Sequence, residues 1–181
     1  FAPVRMDTLR KMVKLEHLTD SEMVKLQRSA MTNPAAPNPS VEAILHAIIP
    51  FKYVDHTHAD SIVTISNTPD GGKRLREIYS NRVIIVPYVM PGFILAKKVY
   101  DTTQNLDWKD YEGMILLNHG AFTFGDAAKE SYERMINLVT EAEDYLKRQS
   151  AFIQLNNNNN KNHLSEEKIK TLASIRKCVS L

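Results

Sequence analysis

The order of hydrophobic and polar residues in the first fifty positions predicts three helices broken by a proline-rich connection. Apolar residues recur at helical spacing over positions 6–15, and Asp20 is placed to cap a second helix. Positions 33–39 contain three prolines, which forbid a helix and predict an extended connection. Ser40 is then expected to cap a third helix, which Pro50 ends.

The rest of the pattern alternates short apolar segments with helical ones. Strands are predicted at Lys52–His58, Arg82–Tyr88, Met114–Asn118 and Ala121–Phe124. Helices are predicted at Ala59–Ser66, Lys73–Tyr79 and Ala127–Arg148, the last with a buried face made of Tyr132, Met135, Ile136, Val139, Ala142 and Leu146. Strands separated by helices indicate an α/β layered domain rather than a helix bundle or a β-sandwich.

Composition excludes several classes of protein. The chain has 181 residues, of which 43% are apolar and 24% charged, so it can bury a core and is not disordered as a whole. A net charge of +2 without a basic stripe argues against nucleic acid as the main partner. The longest nearly apolar run, positions 83–96, is interrupted by prolines and is too short to span a bilayer. A single cysteine, Cys178, and no secretory leader predict a reducing compartment, most simply the cytoplasm.

The pattern His-Thr-His at positions 56–58 is the first candidate for chemistry. On a strand, side chains alternate between faces, so His56 and His58 would project from the same face. Two imidazoles so placed can reach one divalent ion, and His119, followed by Gly120 at the end of a predicted strand, offers a third ligand. A His-x-His pair alone is a weak signal because chance surface pairs are common. The third histidine makes a metal site a real alternative to structural histidines.

Glu42 is the candidate acid or base. It lies in the first turn of a predicted helix, where the helix dipole favours a carboxylate, although an ordinary helix glutamate fits the local sequence as well. His46, one turn later, could support the site, but we favour a simple helix-face position. His17 and His163 lie in polar stretches that we expect to be exposed.

Three blocks in this order resemble one family. The three blocks are Pro39–Glu42, His56–Asp60 and Leu117–Gly120. The third block is followed by further matching residues, Phe124–Asp126, Glu130, Tyr132 and Glu133. Together they resemble the class II aldolase/adducin-head superfamily. The stretch Val86–Lys97 resembles, within it, the aldolase part of bifunctional rhamnulose-1-phosphate aldolase/alcohol dehydrogenase proteins.

That resemblance implies a three-layer α/β/α domain with a metal-dependent active site. It implies His56, His58 and His119 as ligands of a divalent metal, usually Zn²⁺, Glu42 as catalytic acid/base and Ser40 as a phosphate contact. The implied reaction, part of rhamnose catabolism, cleaves a phosphorylated ketose such as rhamnulose 1-phosphate into dihydroxyacetone phosphate and an aldehyde through a metal-stabilised enediolate. The family also implies a homo-oligomer, a tetramer with active sites between subunits.

The chain departs from the family in its phosphate-binding elements. The N-terminal Gly-Asn-Ser-type loop and the later Ser-Gly-Thr-type loop are not found, and Val41 stands where many members have a serine. The chain also begins at Phe1 and contains no GxGxxG motif of a dehydrogenase domain. We therefore expect the N-terminal part of the domain to be missing, and expect this chain alone to bind metal but to be a poor or inactive aldolase.

The expected organisation is a class II aldolase-like domain over residues 1–149 and an Asn-rich linker over 150–163, which contains five successive asparagines. Residues 164–181 are expected to be a C-terminal helical segment of the same domain.

Two other functions compete with cleavage. A sugar-phosphate epimerase or dehydratase could use the same metal, and an adducin-head-like interaction domain would need no catalysis. The retained histidines and Glu42 argue against the second. A nucleic-acid role for the basic residues of positions 168–177 is weakest, because those charges fit the solvated face of a helix. We expect neither nucleic acid nor membrane as a partner.

Overall fold

The computed structural model describes residues 1–151 and Lys170. Residues 1–151 form one compact unit. The predicted linker and C-terminal helical segment lie outside the described residues, apart from positions 150, 151 and 170.

A four-stranded mixed sheet forms the centre of this unit. Its strands are β1 (Tyr53–Thr57), β2 (Val83–Val86), β3 (Gly113–Leu116) and β4 (Gly120–Gly125). Their spatial order is β1-β4-β3-β2, in which β2 and β3 are parallel and the other two pairs are antiparallel. Each predicted strand is confirmed within a few residues of its predicted ends.

Seven α-helices surround the sheet in the described part of the chain. They are α1 (Met6–Met12), α2 (Asp20–Ser29), α3 (Ala43–Ile48), α4 (Asp60–Ser66), α5 (Gly71–Tyr79), α6 (Phe93–Thr103) and α7 (Ala128–Arg148). None of the helices described is long and apolar enough to cross a membrane.

The helices cover both faces of the sheet. One apolar cluster contains residues of α1, α2, α3 and α6 together with strand residues such as Leu116 and Phe122. A second cluster contains residues of α4, α5 and α7 together with Ile115 and Ala121, which are the chain neighbours of those two strand residues. Successive residues of a strand point to opposite faces, so the two clusters lie on opposite sides of the sheet. The predicted α/β/α layering is confirmed, and it buries the sheet's aliphatic residues on both sides.

Two predicted helix caps are wrong by one or two residues. Thr19, not Asp20, caps α2: its Oγ1 accepts the Glu22 N–H at 3.3 Å, and the Glu22 carboxylate accepts the Thr19 N–H at 2.9 Å. Ser40 precedes the true start of α3, because Glu42 occupies the N-cap position. The Ser40 hydroxyl instead accepts the backbone N–H of Glu42 at 3.2 Å.

The buried face of α7 differs from the predicted one. Tyr132 and Ile136 are 61% and 47% exposed. The buried side of α7 is formed by Ser131, Met135, Leu138, Ala142 and Leu146. The helix is rotated relative to the expectation because Ser131, a polar residue, is buried against β1 through a 2.6 Å hydrogen bond to Asp55.

Candidate metal centre

Three histidine side chains meet at one end of the sheet. His56 lies on β1, His58 follows that strand directly, and His119 lies in the turn between β3 and β4. The strands β1 and β4 pair in the register Thr57↔Ala121, which brings the turn beside the end of β1. As a result the His119 ring centre lies 4.9 Å from that of His58. His56 and His58, two residues apart along one segment, have their Nε2 atoms 3.0 Å apart.

The carboxylate of Glu42 completes the cluster from the start of α3. Its Oε1 lies 2.7 Å from His119 Nε2, 3.4 Å from His56 Nε2 and 4.0 Å from His58 Nε2. The four donor atoms all lie within 4.8 Å of one another. Glu42, predicted only as an acid or base, therefore also lies within reach of the same ion as the histidines.

The donor set fits a divalent transition-metal ion. Ligands about 2.0–2.1 Å from a tetrahedral zinc ion lie about 3.3–3.4 Å from one another. The separations in the cluster, from 2.7 Å to no more than 4.8 Å, bracket that spacing. Imidazole nitrogens suit zinc but also iron, cobalt, nickel and copper. The donor atoms therefore indicate a transition-metal site without selecting one of these metals.

The ring of His56 is fixed in an orientation suitable for a ligand. Its Nδ1 lies 2.9 Å from the carbonyl oxygen of Ala121, and the ring stacks on Phe122 with centres 4.0 Å apart. Donation from Nδ1 to that carbonyl leaves the Nε2 lone pair facing the cluster, which is the tautomer that a metal ligand requires.

The ionisation of Glu42 reflects two opposed effects. Burial raises the pKa of the Glu42 carboxyl, but the charge of His56 and the hydrogen bond and charge of His119 outweigh it, so the pKa lies below its ordinary value. Burial lowers the pKa of His56, which favours the neutral imidazole.

Ser40 and Gln27 contact the segment that carries Glu42. The Ser40 hydroxyl lies 3.4 Å from Glu42 Oε2 and accepts the Glu42 N–H, so it steadies the carboxylate. The side-chain amide of Gln27, 1% exposed, donates to the Ser40 carbonyl at 3.4 Å. Sequence reasoning missed Gln27, although a polar residue one turn after the buried Met23 of an amphipathic helix is a usable signal.

The other histidines lie outside the cluster or beyond the described residues. His46 is half-buried on α3 with its ring edge against Phe122, 5.4 Å between centres, which agrees with a helix-face role. His17 is exposed as predicted, and His163 is outside the described residues.

Gly120 is required for the close approach of β1 to the turn. A Cβ atom at this position would lie 2.4 Å from the carbonyl oxygen of Thr57 and 2.8 Å from His58 Cδ2. We expect Gly120→Ala to destabilise the fold by about 1–3 kcal/mol, the usual cost of overpacking, and to weaken metal binding because His58 must move.

Gly72→Ala is the matched control for this prediction. A Cβ there would meet only side-chain atoms, 3.4 Å or more away, within α5. Alanine favours a helix over glycine by about 0.5–1 kcal/mol, so Gly72→Ala should be neutral or stabilising. Thermal unfolding and zinc titration of both variants give the measurement, and equal behaviour of the two would contradict the packing argument.

Comparisons with known proteins agree with this architecture. A family model described as Class II Aldolase and Adducin N-terminal domain matches residues 8–146. The N-terminal class II aldolase domain of a conserved protein from Thermoplasma acidophilum is 41% identical, with a TM-score of 0.71 over 79% of this chain and 65% of that one. An aldolase II superfamily protein from Pseudomonas syringae, 21% identical over 67% of this chain and 52% of that chain, shares the fold with a TM-score of 0.54.

A longer relative also matches. The uncharacterized oxidoreductase YuxG of Bacillus subtilis is 35% identical over 147 residues, which are 81% of this chain and 21% of that protein. This chain thus spans about a fifth of the length of that relative.

Proposed function

The chain belongs to the class II aldolase and adducin N-terminal domain family, and on that premise we propose that it carries the metal centre of an aldolase. The substrate we propose is a phosphorylated ketose such as rhamnulose 1-phosphate, cleaved into dihydroxyacetone phosphate and an aldehyde. The observation that carries this proposal is the convergence of Glu42 Oε1 with the Nε2 atoms of His56, His58 and His119.

The three imidazoles would hold the ion, and zinc is the ion that we propose. Neutral imidazoles leave the double positive charge of the ion undiminished, whereas thiolates or several carboxylates would reduce it. A bound divalent ion would supply Lewis acidity that withdraws electrons from a ketose carbonyl. The side chain of His58 is 61% exposed, so the cluster is open to solvent on that side and a small substrate could reach it.

Glu42 is proposed to move the proton of the cleavage reaction. In cleavage the C4 hydroxyl of the ketose loses its proton, and the C3–C4 bond breaks with its electron pair moving toward the C2 carbonyl. C3 of the dihydroxyacetone phosphate half then gains a proton. A carboxylate beside the reacting carbons can exchange that proton. Oε1 of Glu42 faces the histidines, while Oε2 is turned toward Ser40 and need not be shared with a metal ligand.

Ser40 is proposed as one contact of the substrate phosphate. Its hydroxyl is exposed at the turn that leads into α3, and it lies beside the carboxylate proposed to act on the same substrate. A phosphate held there would keep the reacting carbons close to Glu42, which is how binding of a remote group assists a reaction.

A homo-oligomer, a tetramer by the family resemblance, is also proposed. The exposed large apolar side chains of the described residues include Tyr88, Met90 and Ile94, and also Tyr132 and Ile136 of α7. Exposed apolar groups of this size are typical of surfaces that another subunit covers. Light scattering on the purified chain measures the mass.

A cleavage assay tests the proposed reaction. The zinc-loaded full-length protein and, beside it, this chain alone are incubated with rhamnulose 1-phosphate, and the products are identified by NMR. We expect the full-length protein to cleave the substrate and this chain alone to be poor or inactive. Release of dihydroxyacetone phosphate with an aldehyde supports the proposal. An epimerised ketose phosphate or a dehydrated product would assign the same site to a different reaction.

A further inference from the structure

The turn that carries His119 is held from outside by the end of α4. The residue before it, Asn118, has φ = +59°. It is the third residue of a turn closed by the His119 N–H donating to the Leu116 carbonyl at 3.2 Å, a position that favours glycine or asparagine when φ is positive. This backbone conformation determines where the imidazole of His119 points.

Two hydrogen bonds connect Asn118 to α4. Its backbone N–H donates to Ser66 Oγ at 3.2 Å, and its side-chain Nδ2 donates to Asn67 Oδ1 at 2.7 Å. Ser66 is 3% exposed, and its own hydroxyl donates to the carbonyl of Val63 at 3.1 Å. We call this set, Ser66, Asn67 and Asn118, the α4 clamp.

The helix α4 thereby joins the two parts of the ligand set. It begins at Asp60, two residues after His58, and ends at Ser66 in contact with the turn of His119. Ile62 and Ile65, 0% and 1% exposed, fix the helix in the core. Seven helical residues span about 10 Å. The helix α4 therefore forms a short rigid connection between the segment of His56 and His58 and the turn of His119.

His119 depends on this support more than His56 does. The Nδ1 atom of His56 is paired with the carbonyl of Ala121. The Nδ1 atom of His119 is buried and has no hydrogen-bond partner among the described residues. A metal-binding histidine is usually oriented by a hydrogen bond from its second nitrogen. Apart from the contact of Nε2 with Glu42 Oε1 at 2.7 Å, on the side of the proposed ion, the His119 ring is oriented through its backbone, which the α4 clamp holds.

We infer that Ser66, Asn67 and Asn118 are positioning residues that hold His119 in place as a metal ligand. This inference rests on the proposed metal centre. The supporting contacts of a metal ligand typically contribute about 10–100-fold to metal affinity. We expect the clamp residues to act through affinity and ligand geometry rather than through the stability of the metal-free fold.

The test is a titration of the full 181-residue chain with Co²⁺ and Zn²⁺. Asn67→Ala and Ser66→Ala remove one clamp contact each, and we expect each to weaken zinc binding about 10–100-fold and to change the visible absorption of bound cobalt. Asn67→Asp keeps an oxygen acceptor for Asn118 Nδ2 and should restore affinity close to the unaltered value. Asn137→Ala, on the exposed side of α7, is the matched control and should bind as the unaltered chain does.

The outcomes separate this inference from the proposed function. Asn67 is exposed, so Asn67→Ala should fold even if Ser66→Ala does not, and its metal-free melting temperature should stay close to that of the unaltered chain. Suppose that the unaltered chain binds metal and that Asn67→Ala binds it with the same affinity and the same cobalt spectrum. That result would overturn the role of the α4 clamp but not the metal centre. Weakening in Asn67→Asp equal to that in Asn67→Ala would also overturn that role. Failure of the unaltered chain to bind an ion would overturn the metal centre and the clamp with it.

Discussion

Replacing His58 with alanine is expected to abolish stoichiometric binding of a divalent ion. His58 Nε2 lies 3.0 Å from His56 Nε2, and without it the site keeps two imidazoles and one carboxylate. Losing a ligand should weaken binding by more than the roughly 10–100-fold attributed to loss of a supporting contact. The His58 side chain is 61% exposed, so its removal leaves the core intact. The measurement is the metal content of the variant after equilibration with zinc and desalting.

His17→Ala is the control for that experiment. His17 is an exposed histidine outside the cluster, so its removal tests for adventitious binding by surface imidazole. We expect this variant to retain one ion per chain. If His58→Ala also retains one tightly bound ion, His58 is not a ligand.

In the full-length protein, Glu42→Gln is expected to lower the rate of ketose phosphate cleavage by about a hundredfold or more while metal binding persists. The amide keeps the shape of the carboxylate but cannot accept a proton, and general acid–base catalysis typically contributes about 10²–10⁴-fold. The three imidazoles remain to hold the ion. Exchange of the C3 hydrogen of dihydroxyacetone phosphate with deuterium from solvent, followed by NMR, measures the proton transfer even where cleavage is slow.

Glu77→Gln provides the matched control. Glu77 is an exposed carboxylate on α5, outside the metal cluster, whose ion-pair partner Lys73 is 4.0 Å away. Its replacement should leave both cleavage and exchange unchanged. A fully active Glu42→Gln variant would show that the base is another residue, with Asp60 or a residue outside this chain as the next candidates.

The strands could be predicted from the sequence because each is a short segment of residues that favour strands between turn signals, and β2 and β3 are largely aliphatic. The helix α6 could not, because its first turn belongs to the nearly apolar run of positions 83–96, and such a run has no helical or strand period. The exposed positions of Tyr132 and Ile136 were also missed. Periodicity identifies a helix but does not say which of two apolar stripes meets the sheet.

The members of the candidate site could be predicted, but their mutual arrangement could not. Alternation on a strand placed His56 and His58 together, the end of a predicted strand offered His119, and the family resemblance favoured Glu42 over an ordinary helix glutamate. The distance of Glu42 Oε1 from three imidazoles depends on where α3 begins relative to β1, which is a tertiary property. The α4 clamp joins residues 66 and 67 to residue 118, and no local sequence pattern reports such a contact.

The most direct test of the metal centre is anomalous X-ray diffraction from crystals of the zinc-loaded chain. The account predicts one zinc peak per chain, about 2.0–2.1 Å from the Nε2 atoms of His56, His58 and His119. A strong peak at any other set of residues, or density showing these three imidazoles apart in zinc-loaded crystals, would contradict it.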